Sequence, residues 1–333
     1  PLHGDEPDLL GRLGSYCRQE YRASVQLVCG TQDRNDSAIG VVIGLRGKYP
    51  GNEIELVIDS RNHGPNRKVS NLANMAARAT NDILVVADSD IEVGPRFLKD
   101  VVVRLQHPGV GAVTCPYHGT AKAGVWSELA ALSINTHFLP DAVAALTLGL
   151  AQPCFGATIA LRKELLGRIG GFQAFADCLA DDYAVGAAIR AKGYEVVVAP
   201  FSVGHACLQK NMREFFSQRL RVARTIKALD PVGYLGTVIT YPFPLALLAA
   251  ALGSSEAIFI AAVALCCRIT LCLVVEHVFG LARQRYWLLP FHDLLAFAIF
   301  VFSFFGTSVN WRGYSYRVKS GGTLVGDPDG RLP

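Results

Sequence analysis

The stretch Ile83–Gly94, ILVVADSDIEVG, runs four apolar residues straight into Asp88, Asp90 and Glu92. Burying Ile-Leu-Val-Val in a strand gives no structural reason for alternating carboxylates directly after it. In extended chain, residues i and i+2 point to the same side, so Asp88 and Asp90 can converge on one hard cation. Mg2+ or Mn2+ prefers such oxygen ligands and is often completed by substrate phosphates. The bland alternative is that one Asp caps the next turn while the other is solvated. A lone Asp-x-Asp favours that alternative, and only its company makes the pair specific.

Other stretches supply that company. Asp33 and Asp36, in GTQDRNDSA, follow a second apolar strand pattern, where an ordinary Asx-turn is the plain alternative. GPNRKVSNL sets Lys68 and Asn71 at a helix start, and a cation beside helix N–H groups suits a diphosphate. Lys68 reads equally well as a surface residue. LADDYAVG places Asp181 and Asp182 at another helix start. There they either complement the helix dipole or present a general base to an acceptor hydroxyl. Gln218 and Arg221 stand i and i+3 on a basic amphipathic helix, with Arg224 a further turn along. They suit a departing diphosphate or lipid headgroups, and an interfacial helix satisfies the same pattern.

The elements that must position these residues alternate short apolar strands with helical patterns, as a parallel α/β sheet requires. Carboxylates fall just after two strands, at Asp33 and Asp88, where open parallel sheets bind ligands. From Thr237 to Gly306 charges nearly vanish, and mean hydropathy over the chain is +0.28. Three apolar segments at 237–253, 257–280 and 288–306 predict membrane helices. The first carries Pro242 and Pro244; the second carries Arg268 and Glu276, which should face other helices or mark an end. Arg283 with Arg285, and Arg312 with Arg317 and Lys319, both favour the cytoplasmic side. The number of crossings stays open. The expected organisation is a catalytic domain over 1–232, membrane-embedded helices over 233–310, and a basic then polar tail over 311–333.

A formal charge of +4 in 333 residues gives no reason to expect a nucleic-acid partner. The nine cysteines are scattered, without a metal-type pair of pairs, and read as reduced thiols. The opening Pro1-Leu2-His3-Gly4 carries no signal-like region and reads as a fragment that has lost its true start.

Taken in order, TQDRNDSA, ADSDI, LADDY and QRLRV resemble the D, D, D and (Q/R)xxRW motifs of family 2 glycosyltransferases. GPNRKVSNL, PCFGATIALRKELL, GGFQAFADCLADDYA and RVARTIKALDPVGY resemble the ceramide glucosyltransferase-like branch, and most of all bacterial hopanoid-biosynthesis glycosyltransferases. The resemblance spans Pro1 to about Tyr234 and continues more loosely into the apolar part.

It implies a GT-A fold, Rossmann-like with a mostly parallel sheet and flanking helices, followed by an α-helical membrane region. It implies an inverting transfer from a UDP-sugar donor to a membrane lipid, with Mg2+ or Mn2+ as cofactor, at the inner membrane with the catalytic part in the cytoplasm. Asp33 would contact base or ribose, and Lys68 would join the nucleotide-sugar site. Asp88 and Asp90 would hold the metal on the diphosphate. Asp182 would be the catalytic base, and Gln218 and Arg221 would stabilise the departing diphosphate. His137 and Cys154 match positions near the site. One departure is Val222, where the last motif expects Trp.

The preferred acceptor is a hopanoid polyol such as bacteriohopanetetrol receiving N-acetylglucosamine, with ceramide receiving glucose second. A processive polysaccharide synthase shares the motifs but needs more helices. Phosphoryl transfer and a non-catalytic membrane scaffold are the rivals from other classes, and nothing resembles a P-loop.

Overall fold

The computed structural model describes residues 1–4, 6–306, 308–311, 314–318 and 324–331. The chain forms two compact units, Pro1–Tyr117 with Leu146–Ala206, and His118–Ala145 with Cys207 onward. The division is not a single cut near residue 232, because 118–145 groups with the later helices.

In chain order the first, α/β unit opens with α1 (Leu9–Cys17), β1 (Gln26–Thr31), α2 (Ala38–Lys48), β2 (Glu53–Ile58) and α3 (Arg67–Ala76). It continues through β3 (Ile83–Ala87), the two-residue β4 (Ile91–Glu92), α4 (Phe97–Leu105) and β5 (Val110–Thr114). The chain then leaves through β6 (Tyr117–Ala121), α5 (Val125–Ser133), a π-helical turn (Ile134–Phe138) and α6 (Leu139–Thr147). It returns as β7 (Thr158–Arg162), α7 (Lys163–Arg168), α8 (Asp181–Ala191), β8 (Glu195–Val198) and β9 (Val203–Cys207). Helices α9 (Met212–Leu229), α10 (Pro231–Gly236), α11 (Pro242–Ala251), α12 (Ala257–Phe279) and α13 (Leu289–Ser303) follow. Strands β10 (Ser308–Trp311), β11 (Tyr314–Val318) and β12 (Leu324–Arg331) form an antiparallel sheet, which begins in the last residues expected as membrane helices and runs through the segment expected as a tail. Arg312 and Lys319 of that segment lie outside the described residues.

Strands β1 and β2 pair in parallel. A second sheet has the order β3-β7-β5-β8, in which β7 runs antiparallel to β3 and β5 while β5 and β8 are parallel. Strands β3, β5 and β8 therefore share a direction, as a mostly parallel sheet requires. Their period of two sends alternate residues into opposite cores. Leu84, Ala112, Ile159 and Leu161 pack with Val69 and Leu72 of α3 and with Val185 and Ile189 of α8. On the other face, Val113 and Ala160 join Phe97, Leu98 and Val101 of α4. Each Leu or Val so buried contributes roughly 1.5–3 kcal/mol, so the strand that leads into Asp88 is held from both sides.

Among the described residues, three runs are long and apolar enough to cross a membrane: Val125–Thr147, Ala257–Phe279 and Tyr286–Ser303. Pro231–Thr240 and Pro242–Ala251 form an apolar pair bent by 70°. The bend falls at Pro242, which has no N–H to continue the helix. The long helix α12 stops at Gly280, whose φ of 63° is the left-handed conformation that glycine adopts freely. The first run is absent from the expected segments, because Glu128, Asn135, His137 and Asp141 dilute its hydropathy.

Candidate functional site

Helix α3 is the organiser of the α/β unit's site. Asn66 caps it, accepting the Val69 N–H at 3.1 Å and donating its own amide to Cys178 O at 2.7 Å. The first turns then aim two side chains at strand ends. Asn71 donates to Gly30 O at 2.8 Å, near the end of β1. Lys68 Nζ lies 2.9 Å from Asp88 Oδ1, just beyond β3, and 3.6 Å from Asp181 Oδ2 at the start of α8. The Lys68 side chain is only 10 % exposed, so it is not a solvated surface lysine. Burial opposes its charge, but Asp181, Asp88 and Asp182 outweigh that penalty and raise its pKa.

Asp182 sits one residue further along α8, where its Oδ1 accepts the Tyr183 N–H at 2.8 Å. Burial, and then the charge of Asp181, push its carboxyl up to about 6 against the pull of Lys68. A glycine makes room for it: a Cβ at Gly156 would lie 2.8 Å from Asp182 Oδ2. Two residues earlier Cys154 packs on Gly186 of α8, where a Cβ would come within 2.6 Å of Cys154 Cβ. Burial, then Asp182, pushes the Cys154 thiol up to about 12. It therefore stays protonated near neutral pH and acts here as a packing residue beside the acids.

Asp90 is held differently. Strand β4 pairs with β9, and Asp90 Oδ2 lies 3.2 Å from His205 Nε2. Burial would raise the Asp90 carboxyl, but His205, followed by Lys68 and Arg12, holds it below the usual range. Its Oδ1 is buried without a hydrogen-bond partner among the described residues. Buried carboxylate oxygens are normally satisfied. Two carboxylates two residues apart, one with an orphaned oxygen, fit a hard divalent cation completed by phosphate oxygens.

Arg12 and His205 were invisible to the sequence reading. The fully buried Arg12 donates from Nε to Ser89 O at 2.8 Å and from its terminal NH2 to Glu6 Oε2 at 2.8 Å. It thus grips the turn between Asp88 and Asp90. Arg12 is 77 positions from Ser89, and no local spacing announces such a contact.

Asp33 forms the local turn foreseen for it. Its side chain is exposed and its Oδ1 accepts the Asn35 N–H at 2.9 Å, an Asx-turn. Asp36 accepts from Gly4 N, Ala38 N and Thr31 Oγ1. No hydrogen bond or ion pair among the described residues ties Asp33 to the acids around Lys68.

The remaining expected residues belong to the helical unit. Helix α9 opens on a reciprocal cap, with Asn211 Oδ1 accepting the Glu214 N–H at 3.0 Å and Glu214 Oε2 accepting the Lys210 N–H at 2.9 Å. Gln218 on it accepts from Gln209. Arg221 is half-buried, and Val222 is exposed. Arg224 donates to Phe305 O and Ser308 O, satisfying carbonyls just past α13. His137 lies in the π-helical turn, against Asp293, His292 and Tyr241.

The sequence model of Glycosyl transferase family 21 matches residues 1–324. The chain belongs to this family. Family 21 is where the ceramide glucosyltransferase-like part of the resemblance finds its place. Ceramide glucosyltransferase 1 of Caenorhabditis elegans is 23% identical over 228 residues, 68% of this chain and 48% of that protein. The ceramide glucosyltransferase of Candida albicans is 31% identical over 116 residues, 32% of this chain and 21% of that protein. The family 21 chain thus spans about half or less of these curated relatives. Among solved structures, a mannosyltransferase from Pyrobaculum calidifontis in complex with GDP-Man and Mn2+ aligns with a TM-score of 0.53 and 22% identity. The alignment covers 92% of this chain and 85% of that one, and it shows a GT-A-like fold.

Proposed function

We propose that the chain is an inverting, metal-dependent glycosyltransferase that moves a sugar from a UDP-sugar to the hydroxyl of a membrane lipid. The observation that carries this reading is the junction of Lys68, Asp88 and the Asp181–Asp182 pair, with the Asp182 carboxyl held at about 6. A general base is most effective when its pKa lies near the working pH.

In this mechanism Asp182 takes the proton of the acceptor hydroxyl as its oxygen attacks the anomeric carbon. The bond from that carbon to the diphosphate oxygen breaks, and its electron pair leaves with UDP. The transition state is oxocarbenium-like, and a single displacement inverts the centre. Asp88 and Asp90 would hold a divalent cation, Mg2+ or Mn2+, which when bound would supply positive charge against the negative charge developing on the leaving diphosphate. Lys68 offers the same diphosphate a fixed ammonium. Gln218 and Arg221 are assigned to stabilising a departing diphosphate by the motif resemblance. Asp33 is assigned to the nucleotide's base or ribose. His205 and Arg12 orient Asp90 and the turn before it. His137 and Cys154 are assigned to the acceptor side, Cys154 through packing. The apolar helices would bring the lipid hydroxyl to a donor in the cytoplasm, at the inner membrane.

For the acceptor, we take a hopanoid polyol receiving N-acetylglucosamine, following the motif resemblance. Ceramide receiving glucose is the second reading, favoured by the names of the curated relatives. Incubation of the purified chain with each UDP-sugar, each lipid and Mg2+ or Mn2+ should release UDP and form a glycolipid of inverted configuration. Chelation should stop it and added cation restore it. No UDP from any pair would remove the reading.

A further inference from the structure

The α/β unit holds two sheets, β1-β2 and β3-β7-β5-β8, and neither β1 nor β3 pairs with the other. A cavity lies between them, walled by residues of both strands together with Pro1, Leu2 and Asp88. The two strands run the same way. Near the start of α3, Asn71 and Lys68 reach Gly30 and Asp88, at or just past the carboxyl ends of β1 and β3. Just past the end of α3, Arg78 O accepts from Gln26 at the start of β1, and the chain then enters β3.

Backbone groups alternate sides along a strand, so hydrogen bonds already made tell which residues face the cavity. Thr31 O accepts the Asp59 N–H on the β2 side. Gly30 and, in step with it, Val28 turn to the other side. On β3, the Asp88 N–H donates to Ala157 O and Asp82 O accepts the Lys163 N–H, both toward β7. Ile83, Val85 and Ala87 therefore turn to the cavity. Val28 and these three are each half-buried. Unpaired strand edges are templates for a further strand, and here two parallel edges flank one cavity. Its walls are apolar on both faces of the sheet: Tyr16 belongs to one core, and Leu72, Met75 and Phe172 to the other.

The amino end already makes one rung of such a ladder. The Leu2 N–H donates to Gly30 O at 2.7 Å, and two residues later the Gly4 N–H donates to Asp36 Oδ1 at 2.9 Å, past the end of β1. This segment thus runs in the direction of β1, and the path back from Leu2 leads through Pro1 along the cavity.

We propose that the space between β1 and β3 is a strand-accepting slot, whose occupant is an extended apolar peptide segment continuous with Pro1 and parallel to both strands. It joins the two sheets into one and closes the open edge of the strand that leads into Asp88. Its side chains are apolar on both faces, as in a parallel strand covered from two sides. The slot is a matter of backbone pairing and does not depend on the transferase reading.

The test fuses Val-Ile-Val-Ile-Val, the length of the five-residue β3, to Pro1 of the full chain in detergent. Amide hydrogen exchange at Val28 and Val85 should slow by about tenfold or more. Exchange at Leu27 and Leu84, already bonded toward β2 and β7, should change far less. The melting temperature should rise by about 5 °C. A control extension of five prolines keeps an extended apolar chain but has no N–H to donate, and it should give neither effect. Unchanged exchange at Val28 and Val85 in the first fusion would overturn the proposal. Equal protection by the prolines would overturn it too, by showing that the cavity takes apolar bulk and not a strand. So would a dimer of the unextended chain with these amides protected, which would give the slot to a second copy. UDP release enters none of these outcomes, so failure here and failure of the transferase reading stay distinct.

Discussion

Lys68 in the α/β unit and Arg268 in the helical unit are both buried cations set against carboxylates, yet their surroundings are completed to different degrees. Around Arg268 every oxygen of Asp293 has a donor, and both nitrogens of His292 have partners. Around Lys68 three carboxylates crowd one ammonium, Asp182 is pushed up to about 6, and nearby Asp90 keeps a buried oxygen without a partner. A fully satisfied network fixes geometry, whereas an acid-rich, partly satisfied one holds free energy that a cation and a substrate can release. The first arrangement suits a scaffold. The second suits chemistry.

The comparison breaks first at Asp182. Asp182→Asn should lower kcat by about 10^2–10^4-fold, the usual contribution of a positioned base. UDP-sugar binding, followed by calorimetry, should be unchanged. A near-wild-type rate would mean that the crowded acids serve folding, as the completed cluster does. The next largest effect belongs to the helical unit. Arg268→Met leaves Asp293 buried without its cation and should destabilise by about 3–5 kcal/mol, read from thermal unfolding in detergent. The double variant with Asp293→Leu should recover most of that loss. Equal damage in both would show that packing, not charge balance, holds the cluster.

A pH series sharpens the same contrast. Asp182 works as a carboxylate, and its pKa is raised, so the active form is depleted as pH falls through about 6. kcat/KM should then drop about tenfold per unit below that point. Residual turnover in Asp182→Asn should not show this limb. A profile flat down to pH 4.5 in the wild type would separate Asp182 from the proton transfer.

Sequence alone reaches the strand pattern, the acids after β3 and the acid pair opening α8, because each is written in a few adjacent residues. Lys68 could not be told from a surface lysine until α3 was seen packed under two strand ends. The roles of Arg12 and His205 were out of reach, since Arg12 meets Ser89 and His205 meets Asp90 through tertiary packing across long sequence gaps. The span Val125–Thr147 escaped because polar residues in it, unfavourable in a hydropathy window, are turned toward other segments of their unit: Ser133 meets His292, Asn135 meets Gln284 and Thr136 meets Arg268. Asp33 is a different case: a motif position was legible, and the structure adds to it the local turn that any Asx residue can make.

The smallest effects come from two glycines that test how tightly the crowded acids are fitted. Gly44 lies inside α2, and a Cβ there would meet nothing within 4 Å. Gly44→Ala should therefore stabilise by roughly 0.4–1 kcal/mol through lost backbone freedom in the unfolded chain, with activity unchanged. Gly156→Ala adds the same methyl group 2.8 Å from Asp182 Oδ2, closer than a real Cβ contact tolerates. The carboxylate must shift, because the new atom is fixed to backbone while the Asp side chain can turn. We expect a several-fold fall in kcat, little change in either KM, and a melting temperature within a few degrees of wild type. Thermal unfolding and steady-state rates measured on both variants separate a displaced base from a damaged fold. If Gly156→Ala kept full activity, the close approach of backbone to Asp182 would have no part in setting the base.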